Sequence, residues 1–173
     1  VRQVGAQFIS QRSGDRLGLI LFGTNAYVQS PLSFDTATVQ RFLSEAQIGF
    51  AGKDTAIGDA IGLAVKRLKE RPAESRVLIL LTDGQDTASS VKPLDAAKLA
   101  AKLGIRIYTI GIGADSLTVS GPLGFGSRQV NPSAELDEAG LTEIARLTGG
   151  EYFRARNPQE LDNIYRLLDE LEP

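Results

Sequence analysis

The chain has 173 residues, enough for one domain with its own core and short of two. Lys and Arg number 19 against 21 Asp and Glu, a net charge of −2, so no basic surplus exists to neutralise phosphates and nucleic-acid binding lacks electrostatic support. The absence of Cys and His removes thiol nucleophiles, disulfides, sulfur-ligated zinc, Ser-His-Asp triads and imidazole acid–base work, and no apolar run approaches the ~20 residues of a membrane helix.

Val1, Val4, Phe8 and Ile9 share a face at helical spacing, and Ser13-Gly14-Asp15 ends that helix. Arg16 to Phe22 is a near-continuous apolar run, a buried strand. Gly23-Thr24-Asn25 turns into the short alternating stretch Ala26 to Ser30, whose natural pairing is an antiparallel hairpin with the run before it. Asp35 is placed to cap a helix carrying Val39, Phe42, Leu43 and Ala46. Gly49 to Asp54 is a loop. Thr55 opens the next helix, lined by Ile57, Ile61, Val65 and Leu68 and ended by Arg71-Pro72. Arg76 to Thr82 contains five consecutive apolar residues and reads as a strand buried on both faces.

A polar loop, Gln85 to Ser90, leads to a helix from Pro93 to Leu103, with proline in its first turn and Gly104 after its end. Ile105 to Ile110 is a further strand, closing on Gly111-Ile112-Gly113. The stretch from Ala114 to Leu136 is irregular and without periodicity; a loop of this length is either a partner contact or merely mobile. Leu141, Ile144, Ala145 and Leu147 mark a short helix stopped by Gly149-Gly150. Tyr152 to Ala155 is a last short strand. Asn157-Pro158-Gln159-Glu160 is a helix start, and Leu161, Ile164, Leu168 and Leu171 line the helix that follows. The alternation predicts a single α/β domain over residues 1–173, doubly wound, with a mostly parallel open sheet, helices on both faces and one antiparallel edge strand. With no Met and a helical opening, the chain reads as a piece of a longer protein, any signal or anchor lying outside it.

Asp83 ends the strand that starts at Arg76, and Gly84 lets the chain turn away. Ligands of open α/β sheets gather outside the carboxyl ends of the strands. A hydroxyl at Thr55 and a carboxylate at Asp83, both in loops at one sheet edge, are hard oxygen donors that suit Mg²⁺, which prefers six oxygens at ~2.0–2.1 Å and keeps several waters. An ion so held stays net positive and accepts an acidic group from a partner. On pattern alone, Asp83 serves equally as a cap for the turn at Gly84, and Thr55 as an ordinary N-cap. Asp54 and Asp59 read as solvated charges at a helix start and Asp86 as loop surface. Gly111-x-Gly113 is too short for a dinucleotide fingerprint. Tyr152, Phe153 and Tyr165 read as core or half-core aromatics.

The segments Gly52-Lys53-Asp54-Thr55-Ala56-Ile57-Gly58-Asp59-Ala60-Ile61 and Leu78-Ile79-Leu80-Leu81-Thr82-Asp83-Gly84 resemble the von Willebrand factor A domain, a Rossmann-like fold. Thr55 falls on that family's metal-site threonine and Asp83 on its metal-site aspartate. Gly14 to Phe22, Gln29 to Leu32, Ile107 to Gly113 and Leu147 to Ala155 resemble its bacterial aerotolerance (Bat) type. The resemblance covers essentially the whole chain. It implies a non-enzymatic protein-interaction module that binds Mg²⁺, with Mn²⁺ or Ca²⁺ as alternatives, and meets a partner's acidic side chain. It also implies a domain held at the bacterial inner membrane by segments outside this chain and facing the periplasm, with a role in stress tolerance or complex assembly. An enzymatic alternative, Mg²⁺-assisted phosphoryl transfer or hydrolysis, finds no phosphate-binding loop, no His or Cys, and no paired carboxylates at a strand end. A further alternative is a domain that binds partners by surface alone.

The family's Asp-x-Ser-x-Ser signature is missing; Asp86-Thr87-Ala88-Ser89-Ser90 and Asp115-Ser116 differ in spacing and context. The resemblance implies that the first strand, central in the family's sheet between the strands at 16–22 and 76–82, lies upstream of Val1. Unpaired backbone in that position is costly. The expectation is therefore that the two neighbours close up and pair, or that another segment or chain fills the place, self-association included. With two ligands where the family uses about five, Mg²⁺ should bind this chain weakly or not at all. Titration calorimetry is expected to show affinity weaker than about micromolar, and tighter binding would refute the missing-ligand reading.

Overall fold

The computed structural model describes residues 2–46, 54–113, 117–121, 124, 126–130 and 136–173, and for 117–120 and 127–130 the backbone alone. Helix α1 (Arg2–Gln11) leads into β1 (Leu17–Phe22) and β2 (Ala26–Ser33), then α2 (Thr36–Glu45) and α3 (Ile57–Leu68). Strand β3 (Val77–Thr82), α4 (Pro93–Lys102) and β4 (Arg106–Ile112) follow. Strands β5 (Leu117–Ser120) and β6 (Ser127–Val130), α5 (Glu138–Thr148), β7 (Tyr152–Ala155) and α6 (Pro158–Leu171) complete the chain.

Strands β3, β4 and β7 form a parallel sheet in that order, with Val77 opposite Arg106 and Thr109 opposite Tyr152. Side chains alternate along them, as a pleat requires. Leu78, Leu80 and Ile107 pack with Ile57, Ile61 and Val65 of α3, Ala97 of α4 and Leu141 and Ile144 of α5. Val77, Ile79, Leu81, Tyr108 and Ile110 face the other way, toward Leu161, Ile164, Tyr165 and Leu168 of α6 and Phe8 of α1. The Phe8 and Tyr165 rings stack at 4.6 Å. Truncating a buried side chain such as Ile61 or Ile107 to alanine costs about 2–5 kcal/mol.

Below the sheet, Arg76 closes the ends of two helices. Its Nε donates to Arg71 O at 2.7 Å, and its two terminal nitrogens donate to Lys69 O and Leu103 O at 2.6 Å each. These carbonyls belong to the C-terminal ends of α3 and α4, where a cation also suits the helix dipoles. Glu172 ties α6 down from the same side, accepting from Arg106 at 2.6 Å and from the Tyr108 hydroxyl at 2.7 Å. Burial and that bond push the Tyr108 phenol up to about 12.

Three expectations need correction. The antiparallel partner of β1 is correct but longer, reaching Ser33. The stretch from Ala114 to Leu136 is not structureless, because β5 and β6 pair within it as a separate antiparallel hairpin. The third concerns the sheet. Strands β1 and β2 form their own two-stranded sheet, and no ladder joins β1 to β3 among the described residues. Neither expected outcome is seen among the described residues: β1 does not close onto β3, and no segment of this chain pairs between them. In consequence β3 is not buried on both faces. Val77, Leu78, Ile79 and Leu81 are half-buried, whereas Ile107 to Gly111 of β4 are all buried. Solvent reaches β3 along the edge that has no ladder partner among the described residues. The expected loop over Gly49–Asp54 lies, but for Asp54, outside the described residues.

Amides of a strand in a parallel ladder point alternately to its two neighbours. Hydrogen exchange on this chain alone is expected to show alternating fast and slow amides along β3, with β4 slow throughout from Ile107 to Ile112. Uniform protection of β3 would mean that a further strand already lies against it.

Candidate metal centre

Helix α3 begins on Ala56, which provides no side-chain cap and is a poor N-cap residue. The first-turn amides of a helix need acceptors, and a loop 30 residues away supplies them. Asp86 Oδ1 accepts from Ile57 N at 2.8 Å and Gly58 N at 3.3 Å, and also from the Ser89 hydroxyl. The exchange is reciprocal. The Asp59 carboxylate accepts from Ser90 N at 3.0 Å and Val91 N at 3.2 Å. The two segments are in contact here: a Cβ on Gly58 would stand 1.9 Å from Val91 O, so only glycine fits.

This lacing brings the two anticipated ligand residues together. Thr55 N donates to Thr87 Oγ1 at 2.9 Å, and Thr55 O accepts from Thr87 N at 2.8 Å. The Thr55 hydroxyl oxygen lies 3.5 Å from where a Cβ on Gly84 would be, directly beside Asp83. The loop after β1 joins them, since Ala56 N donates to Gly23 O at 2.7 Å and Asp54 N to Thr24 Oγ1 at 3.3 Å.

The roles expected of these residues change. Thr55 is not the N-cap of α3, because the helix starts two residues later and Asp86 caps it. Asp83 does not cap the turn at Gly84, whose amide donates to Thr82 Oγ1 at 3.3 Å. Asp83 is exposed, and among the described residues its carboxylate has no hydrogen-bond or ion-pair partner. Asp86 and Asp59 are not idle surface charges but the clasp between two loops. Sequence reading misses both because it opens the helix at Thr55, an adequate cap, and not after Ala56, which needs its cap from elsewhere.

Thr55 and Asp83 offer a hydroxyl and a carboxylate. In kind these fit a hard divalent ion; in number they fall short of six oxygens. Among the described residues no three of Asp, Glu, His and Cys come together as a metal-ligand group.

Comparison with known proteins gives this frame a family. The family model described as the von Willebrand factor type A domain matches residues 1–167, and the chain belongs to that family. It is 51% identical to an uncharacterized membrane spanning protein from Vibrio fischeri, whose structure it matches at TM-score 0.53 over all of this chain and 84% of that one. A conserved hypothetical protein BatB from Bacteroides thetaiotaomicron, 24% identical, shares the fold at TM-score 0.77 over 98% of this chain and 85% of its own. A mussel byssus protein, PTMP1, whose structure has a zinc-occupied MIDAS motif, shares the fold at TM-score 0.70 and 22% identity, over 98% of this chain and 39% of its own. An uncharacterized protein of Borreliella burgdorferi is 32% identical over 84% of this chain. The chain spans about half the length of the curated relatives it matches, 43% of that protein and 55% of one from Nocardia farcinica. No helix among the described residues is long and apolar enough to cross a membrane.

The clasp and the candidate ligand separate in a stability measurement. Asp86→Ala is expected to lower the unfolding free energy by about 1–2 kcal/mol through the lost cap. Asp83→Ala should stay within about 0.5 kcal/mol. Urea unfolding followed by circular dichroism checks both, and the opposite order would refute the division of labour.

Proposed function

We propose that this domain is a metal-dependent protein-interaction module in which Thr55 and Asp83 hold a divalent cation that a partner's carboxylate helps to coordinate. One observation carries the reading. The neighbouring structural tasks are done by other groups, the turn by Thr82 and the helix cap by Asp86, and the exposed Asp83 carboxylate is left without a partner among the described residues, one residue along the chain from the Gly84 that the Thr55 hydroxyl approaches. Mg²⁺ suits these oxygens, with Mn²⁺ or Ca²⁺ as alternatives. The ion supplies positive charge that an incoming carboxylate can neutralise; Thr55 and Asp83 hold and orient it.

The remaining oxygen donors would come from a segment pairing with the edge of β3 that has no ladder partner among the described residues. Such a segment, running parallel to β3, ends at the same sheet edge as Asp83. The module is non-enzymatic in this reading: the sequence offers neither His nor Cys, and the one Ser hydroxyl bonded to a carboxylate described at this edge, Ser89, meets an Asp86 already committed to capping α3. The similar membrane spanning protein from Vibrio fischeri supports a domain carried at a membrane, and in this reading that is a bacterial inner membrane, the domain facing the periplasm with a role in stress tolerance or complex assembly. The shortage of donors on this chain favours one second reading, partner binding by surface alone.

Affinity capture with the full-length protein separates the two. Partner retention should be lost in EDTA, return with Mg²⁺, and be lost in Asp83→Ala at unchanged melting temperature. Retention through EDTA would leave the metal-independent reading.

A further inference from the structure

Thr55 is held by its backbone from two sides. Its N–H donates to Thr87 Oγ1 at 2.9 Å, and its carbonyl accepts from Thr87 N at 2.8 Å and Ala88 N at 3.3 Å. The other end of the same peptide group is tied to the loop after β1, since Ala56 N donates to Gly23 O at 2.7 Å. Both peptide groups that flank the Thr55 Cα are therefore anchored. The hydroxyl, by contrast, makes no hydrogen bond among the described residues.

Anchoring this backbone also aims the side chain. Threonine is β-branched and stiff at χ1, so its hydroxyl has few directions left once φ and ψ are set. Binding costs free energy for every side chain it must order, and a ligand oxygen that is already aimed lowers that cost. Thr87 gives more than a loop closure needs. The bond from Thr87 N to Thr55 O would join the two segments by itself. The bond from Thr55 N to the Thr87 hydroxyl adds a second point, on the other side of the Thr55 Cα, and two points resist rotation where one does not. Thr87 also stands on the loop that carries Asp83, four residues along the chain. The residue that grips Thr55 thus belongs to the same short segment as the carboxylate.

We propose that Thr87 is a positioning residue of the metal centre. Its hydroxyl holds the Thr55 backbone so that the Thr55 hydroxyl is aimed before the ion arrives, and it acts through Thr55 without ligating the ion. The inference rests on the metal-site reading and adds to it a residue whose own side chain is exposed and otherwise unremarked.

Mn²⁺ titration of the full-length protein, read as loss of the free-ion paramagnetic resonance signal, tests it together with hydrogen exchange of the metal-free protein resolved by mass spectrometry. Thr87→Val keeps the shape of the side chain and removes the acceptor; Thr87→Ser keeps the acceptor. Thr87→Val should weaken Mn²⁺ binding about three- to tenfold, and Thr87→Ser should bind like the parent protein. Without metal, the Thr55 amide should exchange faster in Thr87→Val and at the parental rate in Thr87→Ser. The Ile57 and Gly58 amides, capped by Asp86, should keep their rates in both. Parental Mn²⁺ affinity in Thr87→Val overturns the proposal, as does a Thr87→Ser protein that binds no better than Thr87→Val. Weakened binding beside an unchanged Thr55 amide would make Thr87 a ligand and overturn the positioning role. Faster exchange at Ile57 and Gly58 as well would mean that the whole loop has loosened, which also overturns it. Absence of Mn²⁺ binding, or binding that Asp83→Ala leaves intact, overturns the metal-site reading itself, and the role of Thr87 falls with it.

Discussion

The edge of the sheet depends on the hydrogen bonds that Asp86 accepts from the start of α3. Without them the helix would open on Ala56 with two orphaned amides. Asp59 returns the service to Ser90 and Val91, so neither loop can shift without uncapping the other. Gly58 lets the two backbones approach to a distance no side chain would permit. The result is a rigid frame that consumes two carboxylates and leaves a third, Asp83, unused beside Thr55. In the proposed reading, stability falls to Asp59 and Asp86 and ligand binding to a different acid, Asp83. A binding carboxylate can then be exposed without loosening the loop that presents it.

Two deficits on this chain occur in the same place. Among the described residues, one edge of β3 has no ladder, and no cluster of three metal-ligating acids forms around Thr55 and Asp83. A strand set between β1 and β3 would pair with both edges and bring its carboxyl end to the loops that follow Gly23 and Thr82. Backbone satisfaction and metal coordination would then be met by one segment, because in a parallel sheet the strand ends share an edge. The half-burial of Leu78, Ile79 and Leu81 measures what such a segment would cover.

Much of this was legible locally. Helical spacing, alternating strands and the Asn157–Pro158–Glu160 start all appear where the pattern puts them, and Asn157 does cap α6 through Glu160 N. What escaped the pattern is non-local. The partner of Asp86 lies 29 positions away and that of Asp59 31 positions away, so each looked like a solvated charge. Arg76 looked like the polar border of a strand, yet it serves three carbonyls from two helices. The hairpin of β5 and β6 has four-residue strands around a Gly- and Pro-rich connection, too short for periodicity to register. The burial of β3 was overestimated because an apolar run reports the strand's own chemistry and not the presence of its neighbours.

The polarity of the fold bears on the proposal that a metal and an acidic partner bind together. At the lower edge, cations meet helix C-termini and carboxylates: Arg76 at α3 and α4, Arg106 at Glu172. At the upper edge the starts of α3, α4 and α5 converge on one groove, and their dipoles favour anions. A divalent ion placed there would work against that field, offset by Asp83 and by the capping carboxylates Asp86 and Asp137. A carboxylate arriving with the ion reverses the balance, since it gains from both the ion and the helix starts. On this chain the two are expected to bind better together than either does alone, so that neither affinity has meaning without the other present.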